Sequence, residues 1–385
     1  KVTMMVEAGA VDAANSEAVL AEVTQLRSES VQPGRLRPSG LDDSFEHLGL
    51  GSLELTELVA RLEARFGVVL STDLLATAET PRDLLVALGQ APRHDAYVPK
   101  ARKPPPVDKD SGEAGPADGA TLAEVLDWHC DRHADRAHLT LLGPRTEVDE
   151  LSYGDLRRAA EVVAGGLLDR GVRAGECVAL VLPTGLSYFE TFMGVLLAGA
   201  VPVPIYPPAR RSQLADHLRR QSRILRNARA VELVTVPEAR PLLRLLRAQA
   251  PMLRGVVTPD ELQLSSSGPL PVGQPGEAAL VQYTSGSTGD PKGVVLTHAN
   301  LLANIRAMAD SAAVRPDDVF VSWLPLYHDM GLIGAWLGSL TVGMRLAVMS
   351  PVDFLTRPSR WLWAIHEQGG TISAGPNFAY SLCVD

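Results

Sequence analysis

The chain has 385 residues, of which 46% are hydrophobic and 21% are charged, and its formal net charge is −9. This length exceeds what one ordinary hydrophobic core organises, so at least two domains are expected. The acidic balance excludes a global basic field that would draw the chain to DNA or RNA, and we therefore expect no nucleic acid partner.

Cysteine usage and hydropathy bear on the cellular compartment. The three cysteines, Cys130, Cys177 and Cys383, are scattered and odd in number, so no disulfide framework or metal-type pairing is predicted. The first residues lack a charged segment followed by an apolar run. The longest apolar stretch, residues 330–344, is shorter than the roughly 20 residues of a membrane-spanning helix and is interpreted as buried helix and strand. A cytoplasmic protein without a transmembrane segment is expected.

Residues 1–90 are predicted to form a small helical domain. The apolar residues of two segments recur at helical spacing. They are Val19, Leu20, Val23 and Leu26 in the first segment, and Leu55, Leu58, Val59, Leu62 and Phe66 in the second. Gly67 is expected to end the second helix. In the long connection between the two helices, Phe45, Leu48 and Leu50 must fold back onto the bundle to be buried.

A third helix is predicted from its end signals. Thr80 is the expected N-cap, Pro81 the first helical residue, Asp83 the third, and Gly89 lies past the end.

Ser52 begins the second predicted helix. Taken alone, a serine at this place is most often an N-cap. Its setting, "LGLGSLELTEL" after a long first loop and before a capped last helix, resembles an acyl carrier protein, a small four-helix bundle. In that family the serine of an Asp-Ser-Leu triplet receives 4'-phosphopantetheine from a pantetheine transferase. Ser52 matches that serine, whereas Gly51 stands where the family has aspartate. Glu54 and Glu57 give the helix an acidic start that suits a basic partner surface.

Residues 91–119 are predicted to form a linker, because they mix prolines with charges of both signs and contain almost no bulky apolar residues.

From residue 120 onward helical and strand-like segments alternate, which is typical of an α/β domain. The predicted helices include "LSYGDLRRAAEVVAGGLLDRGV", "SYFETFMGVLLAGAV" and "QLADHLRRQSRILRNARA"; the predicted extended segments include "CVALVL", "PVPIYPP" and "VELVTV". In the last helix Leu214, Leu218 and Leu225 are expected to point inward. Its arginine-rich outer face is interpreted as a solvated surface, with a carrier protein or nucleic acid surface as the alternative.

The stretch "YTSGSTGDPKGVVLTH", residues 283–298, follows a predicted strand, "ALVQYT". After a further short strand, "GVVLT", comes a helix, with one face predicted to contain Leu301, Leu302, Ile305, Met308 and Ala312. Glycines allow backbone N–H groups to approach an anion, hydroxyl side chains add donors, and Lys292 adds positive charge, so the loop suits phosphate. It is not a Walker loop, because Gly293 follows Lys292. The alternative is a flexible surface loop.

This stretch strongly resembles the signature of the adenylate-forming superfamily, which joins a carboxylic acid to AMP and then passes the acyl group to a thiol. The residues that match are Thr284, Ser285, Gly286, Ser287, Thr288, Gly289 and Lys292. The resemblance implies that these residues hold the phosphates of ATP, normally with Mg²⁺.

A second segment, "WLPLYHDMGLIGAWLGSL", occupies the place of the superfamily's Pro-Leu-aromatic-His motif, and His328 takes the position of the catalytic-site histidine. Together with "PVPIYPP" and "SAGPNFAYSLC", it resembles the fatty acyl-AMP ligase branch. The apolar residues near His328 suit an alkyl chain, although each is equally compatible with an ordinary core position. They are Trp323, Met330, Leu332 and Ile333.

The predicted fold is a small all-α four-helix carrier bundle at residues 1–90, a linker at 91–119, and an incomplete N-terminal portion of an α/β adenylate-forming domain at 120–385. The resemblance implies a fatty acid as substrate, the chain's own or a separate carrier domain as acyl acceptor, and a downstream polyketide or peptide synthase. Because later motifs of the family are absent, the 385 residues alone are expected not to complete adenylation. An acyl-CoA ligase and a non-catalytic carrier or scaffold fragment are the alternatives.

Overall fold

The structure, a computed structural model, describes residues 15–27, 39–45, 47–48, 50, 52–68, 70, 74, 78–91, 115–116, 119–143, 148–206, 214–262, 270–284 and 291–384. The chain divides into two compact units. The first is built mainly from residues 1–100, and the second mainly from residues 101–385.

The first unit is helical. Its described helices are α1 (15–27), α2 (Ser52–Phe66) and α3 (Pro81–Gln90), and Leu74, between α2 and α3, is also helical. Apolar residues of the three helices and of the connection between α1 and α2 share one core. Phe45, Leu48 and Leu50 are buried there, as predicted from the sequence. A four-helix arrangement stays a prediction.

The predicted helix ends of this unit are mostly confirmed. Gly67 has a φ of 60°, the left-handed conformation in which helices commonly end. Asp83 accepts a hydrogen bond of 2.9 Å from the Thr80 N–H at the start of α3. The prediction for Gly89 was wrong, because α3 continues through it to Gln90. Gly89 does not adopt a positive φ, and the buried Leu88 holds this last turn against the core.

The second unit contains the remaining helices and all the strands that pair into the sheets. Its helices are α4 (Leu122–His133), α5 (Tyr153–Asp169), α6 (Leu186–Leu197), α7 (Leu214–Ala228), α8 (Arg240–Leu243), α9 (Pro259–Leu262), α10 (His298–Ser311), α11 (Gly338–Val342), α12 (Pro351–Thr356), α13 (Ser359–Gln368) and α14 (Asn377–Val384), with a 3₁₀-helix at Arg244–Ala248 and a π-helix at Met330–Leu337.

The strands are β1 (Ala137–Leu142), β2 (Val148–Ser152), β3 (Cys177–Val181), β4 (Val201–Pro204), β5 (Glu232–Thr235), β6 (Gly255–Val257), β7 (Ala278–Thr284), β8 (Lys292–Thr297), β9 (Val319–Ser322), β10 (Arg345–Met349) and β11 (Ile372–Ser373). One sheet has the order β11-β9-β10-β1-β2, a second has the order β4-β3-β5-β6, and β7 and β8 form an antiparallel hairpin. In the first sheet only β2 is antiparallel to its neighbour, and the second sheet is parallel throughout. This arrangement is the predicted α/β architecture.

Helices α5 and α6 pack closely in the largest core. A Cβ atom at Gly194 of α6 would lie 2.5 Å from a methyl carbon of Val163 of α5, so only glycine permits this approach. In α7, Leu225 is buried and Leu218 packs on the neighbouring core, as predicted, whereas the side chain of Leu214 lies outside the described residues.

The end of the predicted linker is bonded within the second unit. The Gly115 N–H donates to Val342 O at 3.1 Å, and Arg306 of α10 donates to Gly119 O at 2.7 Å. A Cβ atom at Gly115 would overlap Thr341 O, so the backbone passes directly against α11. These residues are therefore part of the folded unit.

Residues 330–344 differ from the sequence prediction. They form the π-helix and then α11, and the strand that was predicted within them begins only at Arg345. Met330 is 46% exposed. No described helix has the length and apolar character needed to cross a bilayer.

Candidate functional site

The loop rich in glycine and hydroxyl residues joins the paired ends of β7 and β8. Thr284 is the last residue of β7, Lys292 is the first of β8, and the two are opposite each other in the hairpin. The order strand, loop, strand, helix is the predicted one. Ser285, Gly286, Ser287, Thr288 and Gly289 lie outside the described residues, as does the side chain of Thr284. Lys292 is exposed at the base of the loop.

The segment that contains His328 lies beside this hairpin. It follows β9, and Gln282, two residues before Thr284, donates its side-chain amide to Tyr327 O at 3.4 Å. On the other side the buried Tyr188 hydroxyl of α6 donates to Leu326 O at 2.7 Å. These two bonds hold the backbone of the histidine segment between β7 and α6. His328 itself is exposed.

An aromatic row leads away from His328. The His328 and Tyr327 ring centroids are 5.0 Å apart, and the Tyr327 and Tyr206 centroids are 5.9 Å apart. The guanidinium carbon of Arg220 lies 5.6 Å from the Tyr206 ring centroid, a favourable cation–π distance. Burial raises the pKa of Tyr327, which stays neutral near pH 7.

Tyr283 makes a second link beside the hairpin. Its hydroxyl donates to Asn227 Oδ1 of α7 at 2.5 Å, and burial raises its pKa to about 12. Sequence reasoning assigned no role to Tyr206, Arg220 or Gln282. Tyr206 stood in "PVPIYPP", but the sequence alone did not show which ring it would face.

A cavity of about 530 Å³ begins at the histidine segment. Its wall is mostly apolar and comes from β7, β8, α10, the π-helix, α11 and the strands β9 and β11. The volume lies within the ~300–1,000 Å³ range of small-molecule sites. Of the four residues that the sequence proposed for alkyl contact, Met330 and Ile333 line it. Trp323 instead stacks on Phe354 with centroids 3.9 Å apart.

Leu332 was the fourth of those residues, and it is fully buried in the core. The predicted apolar face of α10 has two parts. Leu301 and Leu302 are buried, whereas Met308 is 40% exposed and lines the cavity together with Ala312. The apolar pattern of the helix was therefore real, but part of it faces open space instead of protein.

Strand direction shows how the cavity runs. Strands β9, β10 and β11 are parallel. The lining residues Asp329 and Ala374 follow β9 and β11, at the carboxyl ends, while Val314 and Met344 precede β9 and β10, at the amino ends. The cavity thus extends from the edge where ligands of α/β sheets usually bind toward the opposite edge.

The described residues contain no group of three or more His, Cys, Asp or Glu side chains that could hold a metal ion. Mg²⁺ therefore stays a prediction.

In the first unit, Ser52 is the first residue of α2, and its side chain lies outside the described residues. Groups attached there would interrupt no helical hydrogen bond, because the first N–H groups of a helix have no intrahelical partner.

The three cysteines are free and partly buried. Burial raises the pKa of Cys130 to about 11 and raises the pKa of Cys177 and Cys383 as well. At neutral pH their thiols are protonated, as in structural cysteines.

Comparison with known proteins identifies two families along the chain. Residues 18–88 match the phosphopantetheine attachment site family, and residues 126–385 match the AMP-binding enzyme family. The medium-chain-fatty-acid–(acyl-carrier-protein) ligase TtuA of Teredinibacter turnerae is 32% identical over 305 residues, which cover 69% of this chain and 47% of TtuA. The long-chain-fatty-acid–AMP ligase FadD26 of Mycobacterium tuberculosis is 34% identical over 285 residues, with coverage of 70% and 47%.

A solved structure shows the same fold. The fatty acyl-adenylate ligase of L. pneumophila in complex with acyl adenylate and pyrophosphate is 31% identical, with a TM-score of 0.63. The likeness covers 72% of this chain and 47% of that one. The chain spans about half the length of the curated relatives it matches. Because the second family matches more than half of its residues, the chain belongs to the AMP-binding enzyme family, with the α/β adenylate-forming fold and a phosphopantetheine attachment region before it.

Proposed function

We propose that this protein activates a fatty acid with ATP as an acyl-adenylate and delivers the acyl group to the phosphopantetheine thiol of a carrier. The observation that carries the proposal is the largely apolar cavity of about 530 Å³ that begins beside His328 and the β7–β8 hairpin. An alkyl chain fits such a wall, and its carboxyl group would then lie at the carboxyl ends of the strands. The names of TtuA and FadD26 agree with a fatty acid substrate.

The residues of the β7–β8 loop would bind ATP. Backbone N–H groups and hydroxyls of Thr284, Ser285, Gly286, Ser287, Thr288 and Gly289, with the ammonium group of Lys292, would hold its phosphates, and Mg²⁺ would neutralise part of their charge. One carboxylate oxygen then bonds to the α-phosphorus as the bond to pyrophosphate breaks. Fixed donors around the leaving pyrophosphate stabilise the charge that develops there.

His328 would contact and orient the reacting carboxyl group. The bonds to Tyr327 O and Leu326 O fix the backbone just before His328. Asp329 and Met330, just after it, line the cavity, so the ring would lie near the start of the cavity on a rigid support. Tyr327 and Tyr206 would form the neighbouring wall.

Ser52 would carry the 4'-phosphopantetheine added by a pantetheine transferase. The terminal thiol of that group would supply the sulfur that accepts the acyl group, with AMP as the leaving group. The attachment family at residues 18–88 favours a carrier over free coenzyme A as acceptor. The carrier is the protein's own or a separate one, and a downstream polyketide, lipopeptide or complex-lipid synthase would use the product.

The test uses the natural protein at full length and measures intact mass. Incubation with a pantetheine transferase and coenzyme A should add one phosphopantetheine, and ATP, Mg²⁺ and a fatty acid should then add one acyl group after free coenzyme A is removed. Ser52→Ala should abolish the first gain. Ser44→Ala is the matched control, because this serine lies in the same unit and its side chain accepts a local hydrogen bond from His47 N–H. Gain at a residue other than Ser52 would contradict the assignment.

The activation step is tested separately by pyrophosphate release. His328→Ala should lower kcat/KM by roughly 10²-fold, the loss expected when a reacting group is no longer held in position. Acyl transfer to free coenzyme A, with none to the carrier, would identify an acyl-CoA ligase. Attachment of phosphopantetheine to Ser52 without any formation of acyl-adenylate would identify a non-catalytic carrier.

A further inference from the structure

Two of the cavity-lining positions of the helical segment 330–342 are glycines, which carry no side chain. Met330, Gly334, Gly338 and Val342 recur at every fourth position and all line the cavity. The segment is under-wound here, since the Gly338 N–H reaches back five residues to Ile333 O. The cavity wall therefore contains two adjacent glycines between Met330 and Val342.

Packing does not require the first of these glycines. A Cβ atom at Gly334 would meet no atom within 4 Å apart from its chain neighbours and the backbone of its own helix. At Gly331, by contrast, a Cβ atom would lie 2.3 Å from Pro325 O, so that glycine is needed for the contact between the helix and the histidine segment. Glycine within a helix is destabilising relative to alanine. Gly334 therefore makes the helix less stable than alanine would, and no close contact requires a glycine at this position.

We propose that Gly334 keeps the cavity open along its length and so determines the longest alkyl chain that the site accepts. The inference rests on the proposed function, in which the cavity holds the alkyl chain of the fatty acid. Gly334 lies six residues beyond His328, which is at most about 9 Å of helix. The alkyl chain of a short fatty acid ends before it reaches Gly334, whereas that of a long fatty acid must extend past Gly334.

A leucine at position 334 would bring four carbon atoms into this space. If each takes about the ~30 Å³ share of a water molecule in the liquid, together they fill roughly a fifth of the 530 Å³. Because a Cβ atom at this position meets no packed neighbour and Gly334 lines the cavity, we expect the side chain to enter the cavity without displacing the core.

The experiment compares hexanoic and tetradecanoic acids as substrates of the full-length natural protein, with pyrophosphate release as the readout. In Gly334→Leu, kcat/KM for tetradecanoic acid should fall roughly 10- to 200-fold, the range that lost space in an apolar pocket gives. The value for hexanoic acid should stay unchanged. Thermal unfolding of the variant should match or exceed that of the wild type.

The matched control is Ala307→Leu. It adds side-chain bulk on an exposed position of α10 that does not line the cavity, and it should leave both acids unaffected. Gly334→Ala should give a smaller change in the same direction and serves if the leucine variant fails to fold. An equal fall for both acids, or no change for either, would overturn the proposal.

A binding measurement separates this proposal from the proposed function. The fluorescence of parinaric acid, a long polyene fatty acid, should rise on binding to the wild type and to Ala307→Leu, and should be lost in Gly334→Leu. If the wild type makes no acyl-adenylate with either acid, the proposed activity is wrong. The binding of parinaric acid by the three proteins then decides the role of Gly334. Equal binding by all three proteins would then refute it.

Discussion

The two sides of the helical segment 330–342 differ in what they contact. On the packed side Leu332, Trp336 and Leu340 are fully buried, and the Trp336 ring lies 4.7 Å from the Phe189 centroid and 5.1 Å from that of Phe192. On the cavity side Met330 is exposed and Gly334 meets nothing. The same apolar sequence thus serves stability on one side and leaves room for a ligand on the other. Hydropathy alone does not distinguish the two.

The largest expected effect comes from removing the packed side. Trp336→Ala should lower the free energy of unfolding of the second unit by about 3–5 kcal/mol, because the indole is fully buried against three aromatic rings. Urea unfolding followed by far-UV circular dichroism measures this loss. Trp363→Ala is the control, since this ring is 41% exposed on α13 and its removal should change stability by less than about 1 kcal/mol. Similar losses in the two variants would contradict the division into sides.

Acid should weaken the same packed side. Burial lowers the pKa of His129, whose Nε2 lies 2.9 Å from Leu340 O, to about 4, and that of His138 to about 3. Their unfolded pKa is near 6.5, so the unfolded state binds more protons below that pH. The free energy of unfolding is therefore highest above about pH 6.5 and falls as the pH is lowered toward 4. The shift of the His129 pKa corresponds to a loss of about 3 kcal/mol.

The measurement is the urea midpoint between pH 7 and pH 4. His129→Gln removes the titrating ring and keeps a donor for Leu340 O, so its midpoint should depend less on pH than that of the wild type. The neighbouring Arg132, His133 and Arg136 are unchanged in both proteins. Parallel curves for the two proteins would show that His129 does not carry this dependence.

Alanine substitutions at two glycines of the π-helix should change stability by smaller amounts and in opposite directions. Gly331→Ala should destabilise the unit by about 1–3 kcal/mol, because the added methyl group meets the Pro325 backbone. Gly334→Ala should instead raise stability by up to about 1 kcal/mol, since it has room and alanine favours helix. Both are measured by thermal unfolding. Stability changes of the same sign in the two variants would contradict the proposed difference between the packed side and the cavity side of the helix.

Local patterns were sufficient to predict much of this fold. The strands around "CVALVL", "VELVTV" and "ALVQYT", the order of strand, loop, strand and helix near Lys292, and the end of α2 at Gly67 follow from periodicity and from the conformations that glycine allows. The segment containing His328 was found by its motif. Its chemical role stays a prediction.

What the sequence could not predict depends on contacts between distant segments. Met308 and Trp323 are both apolar, yet the first lines a cavity and the second is buried against Phe354. The link from Gln282 to Tyr327 joins residues 45 positions apart, and no local pattern specifies it. Gly89 failed as a helix terminator because a glycine ends a helix only where the chain needs a left-handed residue.

The burial of Cys130, Cys177 and Cys383 has a practical consequence for chemical labelling. With a pKa of about 11, on the order of one Cys130 side chain in ten thousand is a thiolate at pH 7, and the pKa values of the other two are also raised. A maleimide or iodoacetamide dye used briefly at neutral pH should therefore label these partly buried thiols more slowly than it labels an exposed thiol. Faster colour after treatment with a pantetheine transferase, absent in Ser52→Ala, would report the thiol of the arm on Ser52.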